Sequence, residues 1–367
     1  MKNSIAFLLF IFLITSVQAQ KNKFNLLVGT YTTKCDSKGI YVYDFDSNTG
    51  NFNFKNATEN VTNPSLLSVS KDNNYIYAVN ENGDKSMVSS FSYVPSTGKM
   101  DLINKENANG TDPCYIINDD KNVIIANYSS GNISVFGKNN DGSITKAKQV
   151  IQNYGTNKKQ VPHAHQVYFS PDKKHVLCND LGVDKVFTYA YDSNSSDEIL
   201  KKKDSVSVKS GSGPRHLTFS KNGKFVYLLQ ENDGTVTTFR YTNGKLKKSQ
   251  ETSVVSKDFT GKIGAADIHI SPDGKFLYAT NRGTANDISI FKILKNGKLE
   301  SKGKTSTLGN GPRNFAIDPN GNFLLVAHQF TNDVVIFKRN KKTGSLTDAG
   351  KKITLCSPVC LVFGKNQ

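Results

Sequence analysis

Short apolar stretches with a period of two residues recur along nearly the whole chain. One example is HLTFS at 216–220, which the polar turn KNG separates from a second apolar stretch, FVYLLQ at 225–230. A two-residue period indicates a β-strand, and a turn of this kind between two such stretches indicates an antiparallel hairpin. After residue 20 no stretch of comparable length has a helical period, so the pattern predicts an all-β protein.

These hairpins belong to a longer repeat that is usually headed by a proline. The heading position recurs about every 50 residues, at Pro64, Pro113, Pro162, Pro214, Ala266, Pro312 and Pro358. A second series of turns, mostly ending in glycine as at Gly244 and Gly297, lies between these positions and brings each repeat to four strands. Seven repeats of four short strands predict a seven-bladed β-propeller.

The two ends of the chain fit into the same repeat. The last repeat stops after its first strand, CLVF at 360–363, whereas NLLVGTY at 25–31 resembles a second strand. We therefore predict that the N-terminal strand completes the seventh blade, which leaves no open sheet edge there. Residues 20–367 are then expected to form a single propeller domain.

The first 19 residues have a different pattern. A positive charge at Lys2 precedes an apolar run at 5–14 and a small-residue cleavage sequence at 17–19. This order is typical of a secretory signal peptide, so we expect export to the periplasm or the extracellular space. The apolar run is short for a spanning helix, and no membrane insertion is expected after cleavage.

The chain is strongly basic, with a net charge of +16 at pH 7. Its lysines are scattered through hairpin turns rather than arranged along one stripe, and export separates the protein from nucleic acid, so no nucleic-acid partner is expected. Arginine, in contrast, is confined to Arg215, Arg240, Arg282, Arg313 and Arg339.

The cysteines do not form a pattern typical of a disulfide scaffold or a metal site. There are five in a long chain, so we expect mainly buried thiols, and whether Cys356 and Cys360 pair stays open. Without a spaced His/Cys ligand motif, neither a metal nor a cofactor is expected.

Chemistry-bearing residues concentrate where each first strand starts and each second strand ends. In a propeller these two points are neighbours at one mouth of the central channel. After the heading positions come Ser65, Cys114, His163, Arg215, Asp267, Arg313 and Val359, and the second strands end at Glu81, Asn127, Asp180, Glu231, Arg282 and Gln329.

Three of the arginines lie at these positions, although lysine is otherwise the preferred cation. The planar guanidinium suits a carboxylate, a phosphate or a developing oxyanion. The alternative is that the arginines tie blades together through Glu231, Asp180 and Asp267. His163 and His165 lie on one side of a strand beside these cations, which would keep an imidazole neutral and able to act as a base.

The same stretches resemble the lactonase family of seven-bladed propellers, which includes propeller-type 6-phosphogluconolactonase and the carboxymuconate-lactonising enzymes. The resemblance spans the mature chain and is carried by LLVGTYT, PHAHQVYFSPDKKHVLCNDLGVDKVFTY, GSGPRHLTFSKNGKFVYLLQEN, AADIHISPDGKFLYATNRG and GNGPRNFAIDPNGNFLLVAH. It implies that the motif residues are His165, Arg215, Glu231 and Arg282. The better-known members are cytoplasmic, whereas this chain carries an export signal, so whether the substrate is phosphorylated stays open.

We therefore predict that a monomer hydrolyses a small anionic or sugar lactone without metal or cofactor. His165 would activate water with support from Glu231, and two arginines, Arg215 and Arg282, would polarise the carbonyl and hold the anionic end. Whether His163 or His165 is the base stays open. Further candidates for substrate contact are His163, Asp267, Arg313 and Asp180, the last in a DLG context that suits a turn.

Two other functions fit the same residues. A muconate-type cycloisomerase would use the arginines to bind a dicarboxylate and a histidine or Glu231 to move a proton, which is nearly the same reaction without water. A binding propeller with no enzymatic activity would use the fold as a scaffold, although ionisable residues at the mouth argue against it.

Overall fold

The computed structural model describes residues 22–156 and 159–366, which form strands and one short 3₁₀ turn at Gly83–Lys85. The predicted signal segment, 1–19, lies outside the described residues. In the described part of the chain, no helix has the length and apolar character needed to cross a bilayer.

The strands are numbered in chain order. The first eleven are β1 (Lys23–Thr30), β2 (Ile40–Asp46), β3 (Phe52–Ala57), β4 (Pro64–Val69), β5 (Tyr75–Asn80), β6 (Met87–Val94), β7 (Lys99–Asn107), β8 (Pro113–Asn118), β9 (Asn122–Asn127), β10 (Asn132–Lys138) and β11 (Ile144–Gln152). The next eight are β12 (Ala164–Phe169), β13 (His175–Asp180), β14 (Lys185–Tyr191), β15 (Leu200–Ser207), β16 (Pro214–Phe219), β17 (Phe225–Gln230), β18 (Thr235–Thr242) and β19 (Lys245–Ser253). The last nine are β20 (Ala265–Ile270), β21 (Phe276–Asn281), β22 (Asp287–Ile293), β23 (Leu299–Ser306), β24 (Pro312–Ile317), β25 (Phe323–His328), β26 (Asp333–Arg339), β27 (Leu346–Thr354) and β28 (Pro358–Lys365).

The strands form seven four-stranded antiparallel sheets arranged in a ring, as the repeat predicted. Blades 1 to 6 use consecutive strands, from β4–β7 to β24–β27, and blade 7 has the order β28-β1-β2-β3. The inner strand of each blade contacts the inner strands of both neighbouring blades, so β4, β8, β12, β16, β20, β24 and β28 form a closed cycle around the central channel.

The apolar core lies between the blades. Seven buried clusters occur, and each joins one face of a blade to the facing side of the next. In blade 4, for example, Leu228 packs toward blade 3 while Leu229 packs toward blade 5. This alternation explains the two-residue period, because the second strand of each blade is buried on both faces.

The glycine turns between the third and fourth strands also join blades. The backbone at Gly297 and Gly344 has positive φ, and an added Cβ would collide with the rings of Phe225 and Phe276 in the neighbouring blades. The carbonyl of Gly297 accepts a hydrogen bond from the Tyr227 hydroxyl at 2.9 Å. A repeated glycine in the sequence therefore marks a close approach between blades.

The predicted closure of the ring is confirmed. β1 pairs antiparallel with β28, and Val28 lies opposite Leu361. The two ends of the chain thus share one sheet, and the inner strand of blade 7 comes from the C-terminus.

The expectation that the cysteines are thiols is wrong for two of them. Cys35, in the loop after β1, forms a disulfide with Cys356, just before β28, across a sequence separation of 321 residues. Cys360 does not pair with Cys356, because Cys356 is bonded to Cys35. Cys360, Cys114 and Cys178 are free and buried. Only the closure of the ring brings the partners together.

We expect the disulfide to stabilise the closed ring. Cys35→Ser should lower the free energy of unfolding by about 2–4 kcal/mol, because the crosslink restricts the unfolded chain across a very long loop. Denaturant titration of the oxidised proteins measures this difference. Reductant should destabilise the wild-type protein and leave Cys35→Ser unchanged; equal stability of the two oxidised proteins would contradict the expectation.

Candidate active site

A β-bulge lies at the channel end of every inner strand. In blade 4, Pro214 pairs with Gln230 and His216 with Leu229, so Arg215 is an extra residue without a partner. Such a bulge interrupts the ladder and re-aims the side chain of the extra residue. The corresponding residues form what we call the mouth ring: Ser65, Cys114, His165, Arg215, Ala266, Arg313 and Val359.

A second set of residues follows the second strand of each blade. Their backbone N–H groups each donate to the carbonyl of the residue that precedes the inner strand, with N···O distances from 2.7 to 3.2 Å. Because this bond repeats in all seven blades, it defines equivalent positions. We call them the exit residues: Tyr31, Glu81, Tyr128, Leu181, Glu231, Arg282 and Gln329.

Two of the expected exit positions are therefore displaced by one residue. Asn127 and Asp180 are the last residues of β9 and β13, where side chains are buried between blades, and Tyr128 and Leu181 take the exit positions. The Asp180 carboxylate is fully buried and accepts hydrogen bonds from the His163 N–H at 2.7 Å and the Asn153 amide at 2.8 Å. The Asp180 side chain is therefore buried at the end of β13 and does not lie at the mouth.

Asp267 is also displaced from the expected position. Ala266 and Asp267 both face Thr280 across the bulge of blade 5. Asp267 is the equivalent of His216, one level below the mouth, and only 2 % of its surface is exposed. It belongs to what we call the second ring: Leu66, Tyr115, Gln166, His216, Asp267, Asn314 and Cys360.

His163 and His165 lie close together but hold different positions. His165 is the bulged residue of β12, whereas His163 precedes the strand and is equivalent to Gly213 in blade 4. Both rings contact Tyr128, since His163 stacks on it at 4.7 Å between centroids and His165 meets it edge to face at 5.5 Å. Position in the ring therefore makes His165, rather than His163, the counterpart of Arg215.

One carboxylate holds two arginines at the mouth. Glu231 Oε2 lies 2.8 Å from Nε of Arg215, and Oε1 lies 2.9 Å from Nη2 of Arg282. The backbone completes the arrangement, because the Ala266 carbonyl accepts from Nη1 of Arg215 and the Gly264 carbonyl accepts from Nε of Arg282 at 3.0 Å. Glu231 thus contacts the arginines, and the expected support of His165 by Glu231 is not what its contacts show.

The electrostatics of the mouth follow from burial and from this cluster. Burial alone would raise the pKa of the Glu231 carboxyl, but the charges of Arg215, Arg282 and Arg313 hold that pKa below its usual value. Burial, followed by repulsion from Arg215, lowers the pKa of Arg282 to about 10. At neutral pH the cluster therefore contains one anion between two cations.

His165 is neutral in this environment. Burial, and then the positive charge of Arg215, holds its pKa well below the ordinary value. Only 5 % of the residue is exposed, and its Nδ1 has no hydrogen-bond partner among residues 22–156 and 159–366. Because Nδ1 is itself shielded from solvent, the other ring nitrogen, Nε2, is the one that would accept a proton from a molecule in the channel.

Arg313 is the mouth-ring residue of blade 6, and it forms no ion pair with a carboxylate within the described residues. Its guanidinium lies over the Tyr31 ring, 5.4 Å from the centroid, and approaches Gln329 Oε1 at 3.5 Å. The Tyr31 hydroxyl donates to Glu81 at 2.8 Å. Arg215, Arg282 and Arg313 thus outnumber the mouth carboxylates Glu81 and Glu231, so this surface favours an anionic ligand.

Several contacts at the mouth were not expected from the sequence. Tyr128 lies in none of the quoted motifs. Tyr31 lies in LLVGTYT, directly after the strand that was predicted to close the ring, so its exit position could have been inferred from that closure. The hydrogen bond from Arg215 to the Ala266 carbonyl could not be inferred from residue types, because its acceptor is a main-chain atom. In the described part of the chain, no three His, Cys, Asp or Glu side chains are grouped as a metal site requires.

The fold and the mouth together define a class: a seven-bladed propeller with a buried arginine–carboxylate cluster and a neutral histidine at one end of its channel. Residues 25–363 match the family model described as "Lactonase, 7-bladed beta-propeller". The chain belongs to this family, as its sequence motifs suggested.

Relatives and solved structures support this assignment over most of the chain. A 6-phosphogluconolactonase of Formosa agariphila is 37% identical over 302 residues, which covers 79% of this chain and 85% of the relative. A candidate 6-phosphogluconolactonase of Bacteroides fragilis has a TM-score of 0.89 at 41% identity, covering 94% of this chain and 98% of that one. The periplasmic gluconolactonase of Pseudomonas aeruginosa has a TM-score of 0.88 at 34% identity, covering 93% and 99%.

We expect the His165 imidazole to stay neutral well below the ordinary histidine pKa of about 6.5. The reason is its burial beside Arg215, which penalises the charged form. A titration of histidine ring signals by NMR measures this, and the signal is assigned by its loss in His165→Asn. A midpoint at or above the ordinary value would contradict the electrostatics described for the mouth.

Proposed function

We propose that this protein hydrolyses a small lactone at the channel mouth. The observation that carries the proposal is the Arg215–Glu231–Arg282 cluster beside a neutral, buried His165, in a chain whose relatives are named as lactonases. The arrangement supplies both needs of lactone hydrolysis, which are a base for water and fixed positive charge for the oxyanion.

In the proposed reaction His165 accepts a proton from water as the water oxygen attacks the lactone carbonyl carbon. Arg215 and Arg282 stabilise the negative charge on the carbonyl oxygen of the tetrahedral intermediate. The carbon–oxygen bond of the ring then breaks, and the imidazolium returns the proton to the leaving alkoxide. A low pKa makes His165 a weak base but a strong acid, which favours this second proton transfer.

We propose a role for Glu231 that differs from the one expected from sequence. Two buried guanidinium groups at close range repel each other, and the shared carboxylate offsets that repulsion and fixes their spacing. Within the described residues, neither Nη2 of Arg215 nor Nη1 of Arg282 makes a hydrogen bond to the protein. We assign these two donors to the substrate, with Arg313 as the cation for an anionic group further along it.

The test is a panel of lactones that includes glucono-δ-lactone, its 6-phosphate and a muconolactone, with purified mature protein and acid release as the readout. We expect hydrolysis of at least one sugar lactone, and unchanged activity after exhaustive chelation, because the proposed steps use only side chains. Complete loss in EDTA with recovery in Ca²⁺ or Zn²⁺ would replace this mechanism by a metal-dependent one. Formation of lactone from muconate without sugar-lactone hydrolysis would indicate a cycloisomerase, and no turnover at all would favour a binding propeller.

Arg215→Lys and Arg282→Lys should each lower kcat/KM by at least about tenfold, roughly 1.4 kcal/mol of transition-state binding. Lysine keeps the charge but cannot reproduce the planar, two-pronged contact of arginine. Steady-state kinetics on the best lactone measures the effect, and the melting temperature should change little. Lys201→Arg, which alters an exposed ion pair with Glu198, is the matched control. Near-normal turnover by both lysine variants would contradict the assignment and would mean that the arginines only hold neighbouring blades together.

We also propose that the mature protein is exported and acts as a monomer without a nucleic-acid partner. The predicted signal sequence supports export, as do the Cys35–Cys356 disulfide, a bond typical of oxidising compartments, and the periplasmic relative. N-terminal sequencing of the protein from its native cells should begin at Gln20. An intact N-terminus in the cytoplasmic fraction would refute export, and a dimer mass in solution would refute the monomer.

A further inference from the structure

A buried pair in the second ring lies directly below the arginine cluster. His216 Nδ1 is 2.8 Å from Asp267 Oδ1, and the two side chains are 6% and 3% exposed. The other oxygen of Asp267 accepts from the Asn314 amide at 2.6 Å, from the Phe315 N–H at 3.2 Å and from His269 Nε2 at 2.9 Å. The Ile268 N–H also donates to Oδ1 at 3.0 Å. Five donors thus hold an ionised carboxylate in a fixed position.

This pair determines which nitrogen of His216 carries a hydrogen. An ionised carboxylate only accepts hydrogen bonds, so the neutral imidazole must carry its hydrogen on Nδ1 and a lone pair on Nε2. Burial, and then the charge of Arg215, lowers the pKa of His216 to about 4, which keeps the ring neutral at physiological pH.

The lone pair meets the guanidinium of Arg215. Nε2 of His216 lies 3.4 Å from Nη1 of Arg215, a nitrogen that also donates to the Ala266 carbonyl. A guanidinium can only donate. The contact is therefore favourable in this tautomer of His216 and repulsive in the other, where an N–H would face an N–H.

We propose that His216 is a positioning residue for Arg215, with Asp267 selecting the tautomer that presents a lone pair to the guanidinium. Arg215 is then held by its ion pair with Glu231 and, on Nη1, by Ala266 and His216, which fixes its plane and leaves Nη2 for the substrate. The expected effect of His216 on turnover rests on the proposed function, whereas the expected tautomer of His216 does not. A role for His216 as the base is disfavoured, because a proton on Nε2 would face the Arg215 charge.

The first experiment reads the tautomer directly. The ring nitrogen shifts of His216, assigned with His216→Gln, should indicate hydrogen on Nδ1 in the wild-type protein. In Asp267→Asn an amide can donate to Nδ1, so the hydrogen should move to Nε2, and kcat/KM should fall about 10- to 100-fold, as for other partners that orient a histidine. Hydrogen on Nε2 in the wild-type protein would overturn the proposal.

The second experiment asks whether His216 acts through Arg215. His216→Gln should lower kcat/KM by at least about tenfold in the wild-type background but by less than about threefold in Arg215→Lys, because coupled residues are not additive. Equal losses in the two backgrounds would overturn the proposal. Thermal melting of each variant verifies that it is folded.

The matched control is His175→Gln. It removes another buried histidine, at the end of β13 away from the mouth, whose ring contacts Tyr241 and Lys203 and not the Arg215 cluster, so kcat/KM should stay within about twofold of wild type. A loss as large as that of Asp267→Asn would mean that the loss of any buried histidine lowers turnover through general packing, and would overturn the proposal. If the wild-type protein hydrolyses no lactone, the proposed function fails, while the tautomer measurement still decides whether Asp267 orients His216.

Discussion

The β-bulge at the channel end of each inner strand is the constraint on which the candidate site depends. An unbroken ladder would leave the residues near the mouth in regular alternation along the strand. The bulge adds one residue to the inner strand of blade 4. As a result Arg215 contacts the Ala266 carbonyl of blade 5, and His216, directly after it, contacts Asp267, which also belongs to blade 5. Repeated around the ring, this device produces two stacked rings of side chains at the mouth.

Chemistry is concentrated in one part of these rings. The mouth ring carries His165, Arg215 and Arg313 in blades 3, 4 and 6, whereas blades 1, 2, 5 and 7 contribute small or apolar side chains. Glu231 allows two arginines to stay buried side by side, because its carboxylate lies between them. The compensation is incomplete, and the remaining positive charge is what makes the mouth suited to an anionic or carbonyl-bearing ligand.

The closure of the ring links stability to the site. β1 joins the last inner strand to the rest of blade 7, and the residue that follows it, Tyr31, supports both Arg313 and Glu81. The loop after Tyr31 is anchored by the Cys35–Cys356 disulfide. The same few residues near the N-terminus therefore complete a sheet, fix a loop at the mouth and contribute a side chain to it.

The sequence by itself determined the fold, the number of blades, their closure and most of the candidate site, because burial of strands between blades imposes a two-residue period and a repeat that are visible in one dimension. It also predicted Arg215, Glu231, Arg282 and Arg313 at the mouth, with His163 and His165 as alternatives for the base. Tertiary structure decided what depends on register: the shift of Asp180 and Asp267 away from the mouth, the position of His165 over His163, and the contact of Glu231 with arginines rather than with a histidine. A bulge moves a side chain by a single position without changing the apolar pattern, and the partners Cys35 and Cys356 meet only after all seven blades have closed, so neither could be read from the chain alone.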